Sequence, residues 1–305
     1  MADQKTISRG TWGLLALLSL LWGGTFLSVR VALDELGPLT VVAHRVGWAA
    51  IVLWLVVFIR RVPVPLTLRA VIGFLGMGLL NNAIPFTLQA WGQLYIESGL
   101  TAILNAGTAI WGVLIAAVFF ADEKLSLRKF VGVCLGFFGV ATAIGLSSLA
   151  SLDLRSLGQL AVVASTVSYA FAGVWARKMM SGLSPFVQAA GMLTASSLMM
   201  IPLAWMLEGP LTLSMSAATW GGIGYVTLFA TAGAYLLYYR VLDLAGSGNL
   251  MLCTLLIAPV AIVLGTVFLG EALKPQAILG FALLALGLLI LNGTLRLPRT
   301  KSASP

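Results

Sequence analysis

Long runs of apolar residues, separated by short polar connections, dominate the chain. A run of about 20 apolar residues is long enough to cross the roughly 30 Å hydrocarbon layer of a bilayer as an α-helix. Ten runs of this kind cover residues 11–29, 39–59, 70–94, 99–121, 130–149, 157–176, 186–207, 217–239, 248–270 and 276–295. The pattern predicts an all-α integral membrane protein with ten transmembrane helices.

Composition supports the same class. Charged residues make up 9% of the chain, hydrophobic residues make up 60%, and the mean hydropathy is +1.02. An ordinary soluble domain carries about a quarter charged residues. The connections between the runs are short, so we expect the surroundings to be lipid bilayer and expect no sizeable domain outside it.

The two halves of the chain repeat one another. At an offset of 148 residues, Gly76 matches Gly224, Glu123 matches Glu271, Gly132 matches Gly280 and Gly139 matches Gly287. At an offset of 147 residues, Arg30 matches Arg177 and Pro38 matches Pro185. Each copy holds five apolar runs, and because five is odd the second copy must face the opposite way in a membrane. The repeat predicts two inverted five-helix units around a central cavity, an architecture typical of secondary transporters.

The basic residues predict the orientation. With the N-terminus in the cytoplasm, 14 of the 18 Lys and Arg residues lie on the cytoplasmic side, and only Arg30, Arg155 and Lys274 lie opposite. Such a bias fixes topology. It also accounts for the net charge of +8, so we expect no nucleic-acid partner. The prediction is a multi-pass protein of the inner membrane with both termini cytoplasmic. Its parts are a cytoplasmic N-terminus (1–10), a first repeat (11–149), a second repeat (157–295) and a basic tail (296–305).

Local motifs within the repeat are more specific. The first copy contains Leu21-Trp22-Gly23-Gly24-Thr25-Phe26 and Phe120-Ala121-Asp122-Glu123-Lys124-Leu125, and the second contains Pro259 followed by Leu269-Gly270-Glu271-Ala272-Leu273. Over nearly its whole length the chain resembles two tandem EamA units of the drug/metabolite transporter superfamily. The resemblance implies ten helices, a cavity between the halves, and export or exchange of small polar metabolites. The two copies differ at two of these positions: the first has Trp111 where the second has Pro259, and Asp122 where the second has Gly270.

Polar residues within the apolar runs should face protein or water, because lipid offers no hydrogen-bond partner. At 3.6 residues per turn, such residues converge in runs 1, 3, 4, 6, 8 and 9, which predicts the cavity wall. The candidate substrate-binding residues are Trp22, Asn81, Asn82, Gln89, Asn105, Tyr169, Tyr235 and Tyr238. Helix packing is the alternative: it is favoured for any single Ser or Thr, and both interpretations stay open for Asn82, Gln89 and Asn105.

Two helix-weakening residues occupy matching positions of the halves. Pro85 interrupts the third run, and Gly233 stands at the corresponding point of the eighth. Interrupted segments at corresponding positions indicate a transporter's binding site. A simple kink in the third helix is the other interpretation.

Titratable residues within the runs are few. For Arg45 we expect a structural role, clamping helix-end carbonyls or Asp34 and Glu35, although similar transporters often carry Arg there. For His44 we expect an ordinary hydrogen-bonded role rather than proton coupling. Glu123 and Glu271 lie at helix junctions, where a carboxylate stabilises the N-terminus of the next helix by about 0.3–1 kcal/mol.

The remaining chemistry predicts neither cofactor nor metal. Cys134 and Cys253 lie in runs of different halves and are expected to be small packing residues. A membrane enzyme would need paired carboxylates, a metal cluster or a nucleophile with its base. The chain has one His and few acids, so an enzyme is disfavoured, and so is a receptor or scaffold.

The leading hypothesis is therefore a secondary transporter that exports a small polar metabolite, such as an amino acid or a related zwitterion, by alternating access. An importer or exchanger of a vitamin or another metabolite is the alternative. Small-residue faces on the fifth and tenth helices would support a homodimer, but ten helices suffice to enclose a cavity, so a monomer is expected.

Overall fold

The protein is represented by a computed structural model that describes residues 9–145, 153–238, 240–241, 244, 252–291 and 293–295. Within these ranges the fold is all-helical and contains no strand, which confirms the all-α part of the prediction. The predicted tail (296–305) and the first eight residues lie outside the described part of the chain.

The structure describes ten helices. Two of them contain a π-helical stretch, and one is broken into two segments. They are α1 (Arg9–Ala32), α2 (Pro38–Ile59), α3 (Leu68–Gly92), α4 (Ser98–Phe119), α5 (Leu127–Ile144), α6 (Leu154–Met179), α7 (Pro185–Glu208), α8 (Ala217–Tyr238), α9 (Leu252–Leu269) and α10 (Pro275–Leu291). Eight of them, α1 to α8, are long and apolar enough to cross a membrane, and α9 and α10 are shorter apolar helices.

The helix starts follow from local sequence. Side-chain oxygens cap the first backbone N–H groups of α3 from Thr67, of α5 from Ser126, of α6 from Asp153 and of α8 from Ser216. Pro38, Pro185 and Pro275 open α2, α7 and α10, where the missing proline N–H costs nothing.

Packing joins the first half (α1–α5) to the second half (α6–α10) throughout. The principal cross-half pairs are α1–α8, α1–α9, α2–α7, α2–α8, α3–α6, α3–α7, α4–α6, α4–α9 and α5–α10. Each helix has a counterpart five places along the chain: α1 corresponds to α6, α2 to α7, and so on to α5 and α10. When every helix in these pairs is replaced by its counterpart, the same set of pairs is obtained. The cross-half contacts therefore follow one pattern read from either half.

The closest approach between the halves is a glycine seam between α5 and α10. Gly132, Gly139, Gly280 and Gly287 lie where a Cβ atom would meet backbone atoms of the facing helix. Only hydrogen leaves room for two backbones at this distance, as in small-xxx-small helix pairs of membrane proteins. The small-residue faces assigned to a homodimer in the sequence analysis therefore contact each other within one chain.

We expect Gly139→Ala and Gly280→Ala to lower the free energy of unfolding by about 1–3 kcal/mol, the usual cost of overpacking. Each new methyl group would press on backbone atoms, at Leu284 and Gly280 for the first variant and at Ala143 and Gly139 for the second. The measurement is thermal unfolding of the purified protein in detergent. Gly112→Ala is the control, because its Cβ would meet nothing within 4 Å. Equal stability of all three variants would contradict close packing in the seam.

Candidate functional site

A cavity of about 470 Å³ lies between the halves. Its walls come from eight helices, α1–α4 and α6–α9, which are the six expected from the sequence together with α2 and α7. The polar, aromatic and charged residues that line it are Trp22, Thr25, Phe26, Arg45, Asn81, Phe86, Gln89, Asn105, Thr108, Tyr169, Gln188, Thr231, Tyr235, Tyr238 and Thr254. The volume falls within the range of small-molecule sites.

A widened turn in α3 shapes the first wall. Residues Gly78–Ala83 form a π-helical stretch, in which the N–H of Ile84 bonds to the carbonyl of Leu79, five residues back. Polar side chains from the second half satisfy carbonyls of this stretch: Ser168 Oγ donates to Leu80 at 2.7 Å, and Ser196 Oγ donates to Gly78 at 3.0 Å. Such stretches are frequent at functional sites.

The second half carries a matching feature in α8. Residues Tyr225–Gly233 are π-helical, and the N–H of Ala234 bonds to the carbonyl of Phe229, again five residues back. Both stretches occur at the positions where the sequence predicted weak points, next to Pro85 and at Gly233. The predicted interruption of α3 and α8 is therefore present as two wide turns that face the cavity.

The fourth helix breaks where it reaches the cavity. Its first segment ends at Asn105, and the second begins at Thr108. Both side chains line the cavity, and Thr108 Oγ1 donates to the carbonyl of Asn105 at 2.7 Å. The break turns one amide and one hydroxyl toward the same space.

Seven of the eight predicted site residues line this one cavity: Trp22, Asn81, Gln89, Asn105, Tyr169, Tyr235 and Tyr238. The exception is Asn82, which is fully buried and does not line the cavity. Its Nδ2 donates to Ser196 Oγ at 2.9 Å, and its Oδ1 accepts from Asn81 at 3.2 Å. Asn82 thus lies between α3 and α7 and holds them together.

Hydrogen bonds connect the cavity residues across helices. Asn81 Nδ2 donates to the hydroxyl of Tyr235 at 3.3 Å. Gln89 Nε2 donates to Asn105 Oδ1 at 2.9 Å and to Ser165 Oγ at 3.1 Å. The two amide groups therefore bridge α3 to α8 and to α4 and α6.

Arg45 is the main functional candidate that the sequence analysis did not select. The expected clamp on Asp34 or Glu35 is absent, since Asp34 pairs with Arg30 and Glu35 accepts from Ser216. Arg45 instead lines the cavity with only 8% of its surface exposed. A charged residue at this depth was visible in the sequence, but the other polar residues of α2, Thr40 and His44, form no stripe with it, so the pattern did not indicate where Arg45 would face.

Two neighbours orient the guanidinium of Arg45. Its Cζ lies 3.6 Å from the centre of the Phe86 ring, and its Nε donates to Thr231 Oγ1 at 3.2 Å. Phe86 follows the π-helical stretch of α3, and Thr231 belongs to that of α8. Both irregular stretches therefore meet at this residue.

His44 lies outside the cavity and is hydrogen-bonded on both ring nitrogens, as expected. Its Nδ1 accepts from Trp48 Nε1 at 3.3 Å, which leaves Nε2 to donate to the carbonyl of Thr212 at 3.1 Å. This pattern fits the neutral imidazole. His44 thus ties α2 to the segment that precedes α8.

Four glutamates close one end of the bundle, here called the carboxylate end. Each accepts from the other half: Glu35 from Ser216 N (2.9 Å), Glu97 from Arg155 Nη2 (2.7 Å), Glu208 from Leu39 N (3.0 Å) and Thr40 N (2.7 Å), and Glu271 from Ser98 N (2.9 Å) and Ser98 Oγ (2.7 Å). Three of the four bind N–H groups at helix N-termini, where negative charge is favoured.

The predicted role of Glu123 and Glu271 at helix junctions needs correction. Glu271 does stabilise a helix N-terminus, but that of α4 in the other half rather than that of the next helix. Glu123 Oε2 accepts from Lys129 Nζ at 2.9 Å, on the helix that follows. The two glutamates match in sequence, yet in the described structure they bind different groups.

The opposite end, here called the basic end, is where Arg69, Arg177 and Lys178 lie. Arg177 Nη2 donates to Asp122 Oδ2 at 2.5 Å, and Arg69 Nη2 donates to the carbonyl of Lys178 at 2.8 Å. The cavity extends toward this end, since Gln188 near the start of α7 and Tyr238 at the end of α8 line it.

Electrostatics favour the ionised forms of acids at both ends. Hydrogen bonds from the side chain and backbone of Ser216 hold the pKa of Glu35 below its usual value. The hydrogen bond from Arg177 does the same for the pKa of Asp122. A lowered pKa means that each contact is present at neutral pH and is lost as the pH falls through the lowered value.

In the described part of the chain, no group of three or more His, Cys, Asp or Glu side chains is placed to hold a metal ion. Both cysteines are free thiols: Cys253 is buried beside Ser19, with Sγ and Oγ 3.2 Å apart, and Cys134 is partly buried. The site offers amides, hydroxyls, aromatic rings and one guanidinium.

An apolar bundle whose two similar halves enclose a cavity lined in part by polar side chains is the form of a membrane transporter, and comparison with known proteins agrees. The profile of the EamA-like transporter family matches residues 10–145 and 156–293. The chain therefore belongs to this family. The two matches cover both halves, which confirms the resemblance found in the sequence.

Individual relatives are distant but match over almost their whole length. Protein PagO of Salmonella typhimurium is 24% identical, with 94% of each chain covered. A probable terminal-alkyne amino-acid exporter of Streptantibioticus cattleyicolor is also 24% identical, with 98% of each chain covered. One protein crystal structure is similar in fold, with a TM-score of 0.66 and 18% identity over 93% of this chain and 96% of that one.

The position of Asn82 generates a prediction. Asn82→Ala should lower the free energy of unfolding by about 1–3 kcal/mol, because it removes buried hydrogen bonds between α3 and α7. It should leave solute affinity of the folded protein within about threefold, because the amide does not reach the cavity. Thermal unfolding and solute titration of the purified protein measure the two effects.

Asn105→Ala is the matched comparison, an asparagine of the same size that lines the cavity. We expect it to weaken solute binding more than Asn82→Ala does. Equal loss of affinity in both variants would mean that Asn82 contacts the solute.

Proposed function

We propose that this protein is a secondary transporter that exports a small polar metabolite, an amino acid or a related zwitterion, across the inner membrane by alternating access. The observation that carries the proposal is the cavity between the two halves, which is large enough for such a solute and lined by amides, hydroxyls and aromatic rings. Its membership of a transporter family supports the same class of activity.

The proposed architecture has ten membrane-spanning helices in two inverted repeats, residues 11–149 and 157–295. The symmetric pattern of cross-half helix pairs supports the repeat. Helices α9 and α10, of 18 and 17 residues, would be about 27 and 26 Å long at 1.5 Å per residue, which matches the hydrocarbon thickness. An odd number of spans in each repeat gives the halves opposite senses.

The proposed orientation places the basic end in the cytoplasm together with both termini, according to the distribution of Lys and Arg. The cavity would then face the cytoplasm, and the carboxylate end would close the route to the outside. Export requires a second conformation in which the contacts of Glu35, Glu97, Glu208 and Glu271 separate. A solute is thus taken up from the cytoplasm and released on the far side.

An amino acid is proposed as the solute for two reasons. The relative in Streptantibioticus cattleyicolor is named as a probable amino-acid exporter and matches 98% of this chain. The cavity also combines hydrogen-bonding groups at Gln89 and Asn105 with the aromatic pair Trp22 and Tyr238, whose ring centres are 5.8 Å apart. Aromatic faces favour an ammonium group, and amides hydrogen-bond a polar solute.

Flux through proteoliposomes tests the activity. Vesicles containing the purified protein and loaded with a mixture of ¹³C-labelled amino acids should release one or a few of them faster than empty vesicles, as measured by mass spectrometry. Gln89→Leu should slow this release at least tenfold, because it removes an amide that lines the cavity. Absence of protein-dependent release of any solute would refute the transport proposal.

Gln93→Leu is the matched control for Gln89→Leu. Gln93 lies four residues after Gln89, directly past the end of α3. It is 2% exposed and does not line the cavity, and its Oε1 has no hydrogen-bond partner in the described structure. We expect near-normal release. A loss as large as that of Gln89→Leu would point to general damage to α3 rather than to a site.

Cysteine labelling tests the orientation. In a background with Cys134→Ser and Cys253→Ala, a single Lys274→Cys should react with a membrane-impermeant maleimide added to intact spheroplasts. A single Arg128→Cys should react only after permeabilisation, because the start of α5, where it lies, is assigned to the cytoplasmic side. Reaction of both from the same side would overturn the inverted arrangement.

A further inference from the structure

We infer that Arg45 is the anchor for a carboxylate group of the transported solute, so that the solutes of this protein are small monocarboxylates and organic cations are excluded. The inference rests on the proposed transport function and adds the chemistry that selects the solute. It starts from the placement of one charged side chain in the cavity.

The guanidinium of Arg45 is buried, oriented and only partly used. Phe86 covers one face of its plane, and Thr231 accepts from Nε. In the described structure neither Nη1 nor Nη2 makes a hydrogen bond to protein, yet neither is sealed away from the cavity that Arg45 lines. The two Nη groups together form the end-on fork that matches the two oxygens of a carboxylate.

Among the described residues, the charge of Arg45 has no acidic partner. All eight described acidic residues make contacts with other groups, and none of them lines the cavity. The remaining two, Asp3 and Asp243, lie outside the apolar runs of the sequence. A guanidinium cannot lose its proton in a protein, so the cavity carries a fixed positive charge.

A buried charge without a neighbour of opposite charge has a high free energy, and binding of an anionic solute lowers it. The same charge repels a cationic solute from an enclosed space with low dielectric constant. Arg45 therefore acts on selectivity in two ways, by stabilising a bound anion and by excluding cations.

The number of charges points to a carboxylate rather than a phosphate. Arg45 is the only basic residue among those lining the cavity in the described part of the chain. Phosphate groups carry up to two charges at neutral pH and are usually bound by clusters of basic residues. One guanidinium with neutral amides and hydroxyls around it is suited to a single negative charge.

Matched solutes test the inference on the wild-type protein. For alanine, valine, leucine, methionine and phenylalanine, three compounds are compared: the amino acid, its carboxamide, and the carboxylate that lacks the amino group. Thermal shift of the purified full-length protein measures binding, and proteoliposome flux measures transport. We expect measurable flux only for compounds with a carboxylate. The affinity for each carboxamide should be lower than that for its amino acid by a factor of roughly 30 or more.

Substitutions of Arg45 sharpen the test. Arg45→Gln should weaken binding of carboxylates roughly 30-fold or more and abolish the preference over carboxamides, while Arg45→Lys should retain part of the preference because it keeps the charge without the fork. Arg60→Gln is the control. It removes one positive charge at the exposed end of the same helix, away from the cavity, and should leave the preference unchanged.

The outcomes separate this inference from the transport proposal. If carboxamides or organic cations bind and move as well as carboxylates, or if no carboxylate binds, the role of Arg45 is refuted while transport stands. If no solute of any class moves, transport itself is refuted. Should Arg45→Gln fail to fold, the comparison of acid with carboxamide on the wild-type protein still decides.

Discussion

The hydrocarbon of a bilayer offers no hydrogen bond, and this constraint accounts for the main polar features of the structure. Each polar group placed within an apolar helix must find its partner in the protein or in a water-filled space. The carbonyls loosened by the wide turn of α3 are bound by Ser168 and Ser196 of the second half. Polar groups such as Gln89 and Asn105 face the cavity, and three of the four glutamates at the carboxylate end bind helix N-termini.

Architecture and cavity are linked through the two π-helical stretches. Both lie at corresponding positions of the halves, and both deliver a residue to Arg45: Phe86 just beyond the first stretch, and Thr231 within the second. The irregular backbone of each half is thus concentrated where the halves enclose polar space. A regular helix in either place would change the directions of all the side chains that follow it.

The sequence was sufficient for the helical class, the helix positions and most of the cavity wall, because these follow from hydrophobicity and spacing. The family was indicated separately, by the resemblance of its local motifs. The sequence was insufficient where an irregular turn changes the phase of a helix. In a regular helix of 3.6 residues per turn, Asn82 would lie on the same face as Gln89. The wide turn accommodates one extra residue, so that Asn81 lies on that face instead. Pro85 marked the place but not the direction or size of the change.

Contacts distant in sequence were equally hidden. Nothing in the neighbourhood of Glu271 indicates that its carboxylate binds the start of α4, since Ser98 is 173 residues away. Arg45 likewise belongs to no polar stripe of α2, so its direction was undetermined. Both positions depend on how the two halves dock, which local periodicity does not contain.

The glycine seam between α5 and α10 has a consequence for the history of the gene. Each half contributes glycines to the same contact, and the atoms that a Cβ would meet are mostly backbone atoms of the facing helix. A smaller side chain on the opposite helix cannot make room for a larger residue, because the backbone itself is in the way. Substitution is therefore restricted at these positions in both halves at once, and a change in one half cannot be compensated by a change in the other.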